Sequence, residues 1–581
     1  MLPRLSRADG HCVLAILAVF SAITILVNPL GDFPLNDDWA YGWSVRHFLE
    51  TGEFRLSDWA AANLFTQVVW GALFCRVFGF SFTVLRFSTL VLAAIGTLAL
   101  YGLLRELRIA PRSALVGTLT LALAPIQLQQ AHSFNNDVPS SALLVVAAFL
   151  LLRGLLRESP LATAAGLATG FLAVLTRQSN VVLFAAYGLS LLVARGLRPA
   201  TLVKAILPGL AALSLHLGYV HWLSVHDRKP LLYDLQVRML WSTLASDPRT
   251  IAATYVGNLS VLLMYAGLFL LPLLVYCVAV EQPRRAPHRT LTLVVVAALV
   301  GVSLLTLRVQ MPLLGNTLLA VGLGPPAAPG NDAGLSRIEH LVVDFGWKVA
   351  TVAAVAGVAL LALRFAALAA RVIDPHVPPK ARASAILIMA GLAFYVAGIA
   401  GVPRDYLFDR YLLPFLAFAI PAISLAAHPV RLLDPVPPRE PARLSRASGF
   451  LVFVPLLAMA WYAVVTVHDY MASHRVRWRA IDALVHSEGV PLTEIDGGFE
   501  FSGWNRGNRF ETCSPGRDRS EFEGRAQWKD FDCIWEAGRR EPYAFSFTER
   551  PGYNLVAVQD YFSWQFLTRK RILTLSRLRA P

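Results

Sequence analysis

The sequence predicts a polytopic α-helical membrane protein of about 13 transmembrane helices, followed by a small C-terminal domain that is α+β or β-rich. Of the 581 residues, 56% are hydrophobic and only 15% are charged, which is too apolar for a soluble domain. Apolar runs of about 20 residues, the length that crosses a bilayer, recur between short Arg clusters. From residue 468 these runs stop, and charged, aromatic and turn residues become frequent.

The first apolar run, 12–31, contains no charged residue and is long for the apolar part of a cleaved signal peptide. It also lacks an obvious cleavage site, so we interpret it as the first span. The predicted spans, in order, are 12–29, 83–104, 113–130, 139–155, 161–176, 180–196, 201–222, 255–280, 290–308, 346–370, 383–402, 410–427 and 449–467. The turn at 177–179 is short, and reading 161–196 as one span would reverse the orientation of everything that follows.

Basic residues orient the spans. The net charge is +14, carried mainly by Arg clusters in alternate loops, such as Arg105 with Arg108, Arg284 with Arg285, and Arg431. The positive-inside rule therefore predicts a cytoplasmic N-terminus and a C-terminal domain on the outer side. Our leading interpretation places the chain in a bacterial inner membrane, which makes that domain periplasmic. The sequence has no nucleic-acid-binding motif, so the charge does not indicate a nucleic-acid partner.

This topology divides the chain into a transmembrane domain, 1–467, and a soluble periplasmic domain, 468–581. The first outer loop, 30–82, is long and contains amphipathic helices, including an interfacial or re-entrant helix near 65–80. No internal repeat is evident, which disfavours a transporter built from inverted repeats.

Two adjacent acids, Asp37 and Asp38, follow the first span. Asn36 or Asp37 can cap a helix that runs to Thr51 and stops at Gly52, and helix capping needs only one acid. A pair of acids at a membrane boundary also favours a functional site.

Three further polar groups lie at outer ends of predicted spans. Asp137, in Asn-Asn-Asp-Val-Pro, is typical of a turn, yet it lies on the same side as Asp37, and the two acids are candidates for a base or for metal ligands. Arg177 can be a snorkelling turn residue, and Asp409 can simply pair with Arg410. Arginine and hydroxyl groups at a membrane boundary, here Arg177, Arg410 and Tyr411, also suit a lipid phosphate.

Together, DDWAY, NNDVP, LTRQSN and FDRY resemble motifs of the C-type-fold (GT-C) integral-membrane glycosyltransferases, in particular the superfamily of protein O-mannosyltransferases and lipid A aminoarabinose transferases. The similarity covers most of 1–427. The acid pair with Tyr41 resembles that family's acidic-pair-x-x-Tyr motif, although Asp38 stands where the family usually has Glu.

The resemblance implies transfer of a sugar from a polyprenyl-phosphate carrier to an acceptor hydroxyl or phosphate on the outer face, with inversion. Asp37 is then the base, Asp38 and Asp137 are further catalytic candidates, and Tyr41, Arg177, Asp409, Arg410 and Tyr411 bind the lipid phosphate. A divalent metal ion held by Asp37 and Asp137 stays open, as do the sugar and the acceptor, whether protein, lipid A, glycolipid or polysaccharide. The alternatives are a transporter or flippase of lipid-linked sugars and an O-antigen-type polymerase or ligase, which uses a diphosphate carrier.

Two of the five cysteines, Cys513 and Cys533, lie in the polar C-terminal region. Because the predicted topology places them in an oxidising compartment, we expect a disulfide between them, with two free thiols as the alternative.

Overall fold

The computed structural model describes residues 6–280, 287–330, 334–427, 446–535 and 541–578. The helices up to the middle of the chain are α1 (Arg7–Val27), α2 (Asp38–Thr51), α3 (Phe65–Phe78), α4 (Phe82–Glu106), α5 (Pro111–Ala122), α6 (Pro125–Ala131), α7 (Asp137–Arg157), α8 (Pro160–Thr176), α9 (Val182–Arg195) and α10 (Pro199–Val225). They are followed by α11 (Leu235–Leu244), α12 (Pro248–Phe269), α13 (Leu271–Val280), α14 (Pro287–Thr306), α15 (Arg337–Ile373), α16 (Pro379–Ala400), α17 (Leu412–Ala427) and α18 (Arg446–His486). The basic residues Arg284, Arg285 and Arg431 lie outside the described residues.

Within the described ranges, nine helices are long and apolar enough to cross a membrane: α1, α4, α7, α10, α12, α15, α16, α17 with the turn before it, and α18. The protein is therefore an integral membrane protein with a predominantly helical fold, as predicted. Shorter apolar helices, among them α3, α8 and α13, lie between these nine, and the predicted number of about 13 spans is not confirmed by this count.

Proline sets many helix boundaries. Helices α5, α8, α10, α12 and α16 begin at a proline, whose fixed φ suits the first turn and whose missing N–H is not needed there. The same property interrupts the predicted span 113–130: α5 ends at Ala122, and α6 begins at Pro125.

The chain reverses between α8 and α9, as the two-span interpretation of 161–196 requires. Helix α8 ends at Thr176, and a 3-10 turn, Gln178–Val181, leads into α9. Leu191 near the end of α9 packs with Leu155, Ala205 and Ala383. The α9 C-terminus is thus beside the end of α7, and the 177–181 turn lies at the other end of the helices.

The C-terminal region combines helix and sheet. It contains α19 (Phe499–Ser502), α20 (Phe510–Cys513), α21 (Asp532–Trp535) and four strands, β1 (Ile495–Asp496), β2 (Tyr543–Ser546), β3 (Tyr553–Ser563) and β4 (Thr568–Arg577). The strand order is β1-β2-β4-β3, with β3 and β4 forming a long antiparallel hairpin. Helix α18 runs without interruption through position 468 and packs on the sheet through Ile481 and Leu484.

Candidate active site

The cavity that contains most of the predicted residues has a volume of about 400 Å³. It lies where the N-termini of α2 and α7, the C-terminus of α8 and the start of α17 meet. Six of the eight predicted residues line it: Asp37, Tyr41, Asp137, Arg177, Arg410 and Tyr411. Four separate sequence motifs thus converge on one site.

Asp37 precedes α2 but does not cap it with its side chain. One carboxylate oxygen, Oδ1, accepts a hydrogen bond from the indole of Trp59 at 3.0 Å, and Oδ2 lies 2.6 Å from Nη2 of Arg410. The helix-capping explanation therefore does not account for Asp37, because its carboxylate is directed into the cavity.

A chain of alternating charges crosses the cavity. Arg410 Nε is 3.6 Å from Oδ2 of Asp137, and the other oxygen of Asp137 accepts a hydrogen bond from Arg177. Asp37, Arg410, Asp137 and Arg177 are all buried. Nη1 of Arg410 is also buried, yet it has no hydrogen-bond partner in the part of the chain that the structure describes. A buried guanidinium N–H without a partner costs free energy unless a ligand accepts from it.

Two tyrosines complete the polar part of the cavity. The Tyr411 ring lies under Arg177, with the guanidinium carbon 4.4 Å from the ring centre, and its hydroxyl accepts a hydrogen bond from Gln236. Burial, together with the Asp37 charge, raises the pKa of Tyr41 far above its usual range. The Tyr41 hydroxyl therefore stays protonated and can donate to an oxygen of a ligand.

Asp38 and Asp409 are absent from the cavity lining. Asp38 accepts hydrogen bonds from the amides of Leu35 and Phe134, and Asp409 accepts from those of Thr317 and Leu318. Burial raises the pKa of Asp38 to about 8, against the opposing effects of the Arg86 charge and the two amides. Both acids hold loops next to the site, and their predicted catalytic and binding roles stay predictions.

The C-terminal region adds aromatic residues that the sequence analysis did not single out. Phe499 and Trp528 line the cavity together with Trp59 and Phe408. The Trp528 ring lies 5.3 Å from that of Phe408. Aromatic residues bordering carboxylates suit a sugar, which presents an apolar face and hydroxyl groups. Nothing in the local sequence around Trp528 indicates this position, because it depends on tertiary contacts.

The C-terminal region packs directly against Trp39 of α2. A Cβ on Gly503 would lie 2.3 Å from Cε2 of Trp39, so only glycine allows this approach. Glu500, three residues earlier, accepts a hydrogen bond at 3.2 Å from the amide of Asn36, next to Asp37. The C-terminal region therefore contacts the acidic motif directly.

Two guanidinium groups already contact the carboxylate oxygens of Asp37 and Asp137. No group of three or more His, Cys, Asp or Glu side chains that could hold a metal occurs among the described residues. Because a divalent cation needs several oxygen ligands and is repelled by neighbouring Arg charges, this donor set does not fit a metal ion.

Cys513 and Cys533 form a disulfide in the structure, with their Cα atoms 4.8 Å apart. The segment between them includes Trp528. The disulfide therefore closes a loop that contributes to the cavity wall.

Comparisons with known proteins give one family and several distant structures. Residues 69–223 match the sequence profile of the family described as dolichyl-phosphate-mannose-protein mannosyltransferase. No curated protein matches the chain.

Among solved structures, ArnT from Cupriavidus metallidurans bound to undecaprenyl phosphate aligns over 97% of each chain with 13% identity and a TM-score of 0.40. Its apo form aligns over 98% of each chain with 14% identity and a TM-score of 0.39. The arabinosyltransferase EmbB from Mycobacterium smegmatis aligns over 83% of this chain and 43% of its own, with 14% identity and a TM-score of 0.30. These values are too low to transfer any site residue.

The profile match begins within α3 and ends within α10, and it includes Asp137 and Arg177. It confirms, for this part of the chain, the predicted resemblance to the protein mannosyltransferases.

Proposed function

We propose that the protein is a membrane glycosyltransferase that moves a sugar from a polyprenyl monophosphate to an acceptor hydroxyl or phosphate on the periplasmic face of the inner membrane. The family profile, which is named for a lipid-phosphate-sugar-dependent mannosyltransferase, supports the reaction class. The observation that carries the proposal is the contact between Asp37 and Arg410, which puts a base and a phosphate-binding group in one buried cavity.

Asp37 acts as the base in an inverting displacement. Each of its oxygens accepts one hydrogen bond and keeps a further lone pair, so the carboxylate can take the proton of an acceptor hydroxyl. The acceptor oxygen bonds to the anomeric carbon while the bond from that carbon to the phosphate oxygen breaks. The products are the glycosylated acceptor and the lipid phosphate, and the proton remains on Asp37. A phosphate acceptor would be deprotonated already and would need no base.

Arg410 stabilises the leaving phosphate. Its unpartnered Nη1 can donate a charge-assisted hydrogen bond to a phosphate oxygen as negative charge develops there. Arg177 donates a hydrogen bond to Asp137 and stacks on Tyr411. We therefore assign Arg177 mainly to holding Asp137, and through it Arg410, in position.

The orientation also belongs to this proposal: a cytoplasmic N-terminus, the cavity on the periplasmic side, and a transmembrane domain, 1–467, that precedes a periplasmic domain, 468–581. A carrier lipid enters such a cavity from the bilayer, whereas a nucleotide sugar would come from the cytoplasm. The sequence contains no GxGxxG or P-loop motif for a nucleotide.

The proposal is tested with purified full-length protein in vesicles, given a panel of polyprenyl-monophosphate sugars and an envelope extract as acceptor source. We expect one or a few donors to be consumed with release of the lipid phosphate, and Asp37→Asn to slow this consumption by about 10²- to 10⁴-fold. Efficient transfer from a nucleotide sugar without a lipid carrier would refute the donor assignment. Movement of the donor across the bilayer without its consumption would instead indicate a flippase, and a requirement for a diphosphate carrier would indicate a polymerase or ligase.

A further inference from the structure

Two asparagine side chains meet on the wall of the candidate active site. Asn36 and Asn316 are 280 positions apart, and both line the cavity of Asp37. Nδ2 of Asn36 donates a hydrogen bond at 3.1 Å to Oδ1 of Asn316, and we call the two residues the amide pair. Proton uptake by Asp37 and phosphate binding by Arg410 do not require this pair.

The amide pair has unused hydrogen-bonding capacity. Oδ1 of Asn36 and Nδ2 of Asn316 make no hydrogen bond to any described residue, and neither atom is fully buried. Asn36 is only 2% exposed and lines this cavity, so its oxygen is accessible from the cavity. The pair therefore presents one acceptor and one donor to a ligand. Turning both amides over exchanges these roles and still leaves one acceptor and one donor free.

Both asparagines have a left-handed backbone. The φ angle is 53° at Asn36 and 111° at Asn316, in the region where residues other than glycine are uncommon. If these positions served only to turn the chain, glycine would suit both without steric cost. The contacts of the two side chains therefore explain the choice of asparagine better than the turns do.

Two buried acids fix the backbone at the amide pair. Glu500 accepts a hydrogen bond at 3.2 Å from the backbone amide of Asn36. Asp409 accepts hydrogen bonds from the two backbone amides that follow Asn316. Both carboxylates are at most 1% exposed. The two asparagines are thus held in position before a ligand binds, and such preorganisation lowers the free-energy cost of binding.

An aromatic surface lies beside the amide pair. The ring of Phe499, which precedes Glu500 in the chain, lies 5.8 Å from the ring of Trp59. The Trp59 indole donates to Asp37, the residue after Asn36, and both rings line the cavity. Amides next to aromatic rings suit a sugar, which presents hydroxyl groups at the edge of its ring and C–H groups on its faces.

We propose that the amide pair binds a hydroxyl group of the sugar that is transferred, and so selects donors that carry a hydroxyl at that position. A hydroxyl fits because it can donate to the free oxygen of Asn36 and accept from the free amide N–H of Asn316. Arg410, which contacts Asp37, would hold the phosphate of the same donor. This assignment rests on the proposed function, because it names the sugar-binding part of that site.

The test compares lipids with and without a sugar. Delipidated full-length protein is titrated with bare undecaprenyl phosphate and with undecaprenyl phosphate that carries mannose, glucose, galactose or arabinose, and native mass spectrometry measures the bound lipid. We expect at least one of the four sugar-bearing lipids to bind the wild type more tightly than the bare carrier. Arg410→Ala should weaken binding of both kinds of lipid, because both present the phosphate.

The test variant is the double substitution Asn36→Gly/Asn316→Gly. Glycine removes the amide and accepts a left-handed backbone, so both turns are kept. Binding of the preferred sugar-bearing lipid should weaken by about tenfold and that of the bare carrier by less than about twofold, because only the sugar loses hydrogen bonds. Asn28→Gly is the matched control, since Asn28 has a φ of 55° at the end of α1 and does not line the cavity.

Monodeoxy analogues of the preferred lipid separate sugar recognition from a structural role. The analogue that lacks the contacted hydroxyl should bind the wild type about tenfold more weakly than the parent lipid does. The double variant should bind that analogue and the parent lipid equally well, because it has no amide left to lose.

Four results would overturn the proposal. They are an equal loss of bare and sugar-bearing lipids in the double variant, unchanged binding of both, a wild type that binds none of the four sugar-bearing lipids more tightly than the bare carrier, and a wild type that binds every monodeoxy analogue as well as the parent. Failure of the proposed function has a different signature: Arg410→Ala then leaves binding of bare undecaprenyl phosphate unchanged, whatever the asparagine variant does.

Discussion

Asp37 and Arg410 are 373 positions apart in the sequence, and their side chains meet at 2.6 Å in a buried cavity. Through Asp137 the pair extends to Arg177, which gives two carboxylates and two guanidinium groups with no net formal charge. A buried charge is tolerated when it is paired and hydrogen-bonded. In the proposed reaction, the paired carboxylate of Asp37 serves as the base, and a lipid phosphate that enters the cavity meets Arg410 already in position.

The first prediction concerns the base. Asp37→Asn should lower transfer by about 10²- to 10⁴-fold, because the amide cannot take a proton. The amide oxygen can still accept the hydrogen bond from Trp59. The measurement is donor turnover by purified protein whose thermal unfolding is checked in parallel. Asp344→Asn, which removes an exposed acid paired with Lys348, is the control and should retain activity. Near-full activity of a folded Asp37→Asn protein would rule out this base.

The second prediction concerns the phosphate. Arg410→Ala should raise the KM for the lipid donor by about tenfold to a hundredfold, because a charge-assisted hydrogen bond to phosphate is lost. Arg410→Lys should recover only part of the loss, since lysine lacks the planar fork that contacts Asp37 and a phosphate together. Arg525→Ala, at an exposed position of the C-terminal region, is the control.

The variant Arg177→Ala tests whether Arg177 positions Asp137 or contacts the phosphate of the lipid donor directly. If Arg177 acts through Asp137, its loss should lower kcat with a smaller change in donor KM than Arg410→Ala produces. Equal donor dependence in the wild type and in both Ala variants would contradict the phosphate assignment.

The sequence predicted the helical membrane fold because span length and Arg clusters are local properties. It also identified six of the residues that line the cavity, since DDWAY, NNDVP, LTRQSN and FDRY each mark the end of a helix on one side of the membrane. The sequence did not show that Asp37 and Asp38 have different surroundings. Adjacent residues point in different directions from the start of α2, and only the fold shows that Asp38 turns to the amides of Leu35 and Phe134.

Trp59, Phe499 and Trp528 were outside the reach of the sequence for a different reason. Aromatic residues are common in this chain, and their contribution to the cavity depends on how the C-terminal region docks on α2. That docking depends on Gly503 beside Trp39 and on Glu500 beside Asn36, contacts between residues more than 400 positions apart.

The third prediction is a pH dependence of this docking. Burial by itself raises the pKa of Glu500, but the Arg477 charge and the hydrogen bond with His474 outweigh it and lower the pKa to about 2. Because the folded-state pKa is below the ordinary value of 4.5, the carboxylate stabilises the fold above pH 4.5, and this stabilisation is lost as the pH falls towards 2. The contribution is about 3 kcal/mol.

The check is thermal unfolding of the wild type and Glu500→Gln from pH 7 to pH 3. We expect the wild type to be the more stable at pH 7 and the difference to shrink below pH 4.5. Glu523→Gln, an exposed acid in the same region, should show no such trend. A difference that stays constant across the range would show that the Glu500 charge does not hold the junction.

The fourth prediction links the disulfide to the cavity. The bond between Cys513 and Cys533 closes a 20-residue separation, and the enclosed segment contains Trp528 and Ala526, whose carbonyl accepts a hydrogen bond from Arg238 at 2.5 Å. Replacing both cysteines by serine should destabilise the C-terminal region by about 3 kcal/mol in the loop-entropy account. Because Trp528 then samples more positions at the cavity wall, we expect KM to rise more than kcat falls.

Mass spectrometry of non-reduced, membrane-extracted protein measures the bond directly. A reducing agent should destabilise the wild type and leave the double Ser variant unchanged, and two free thiols in the extracted protein would contradict the pairing.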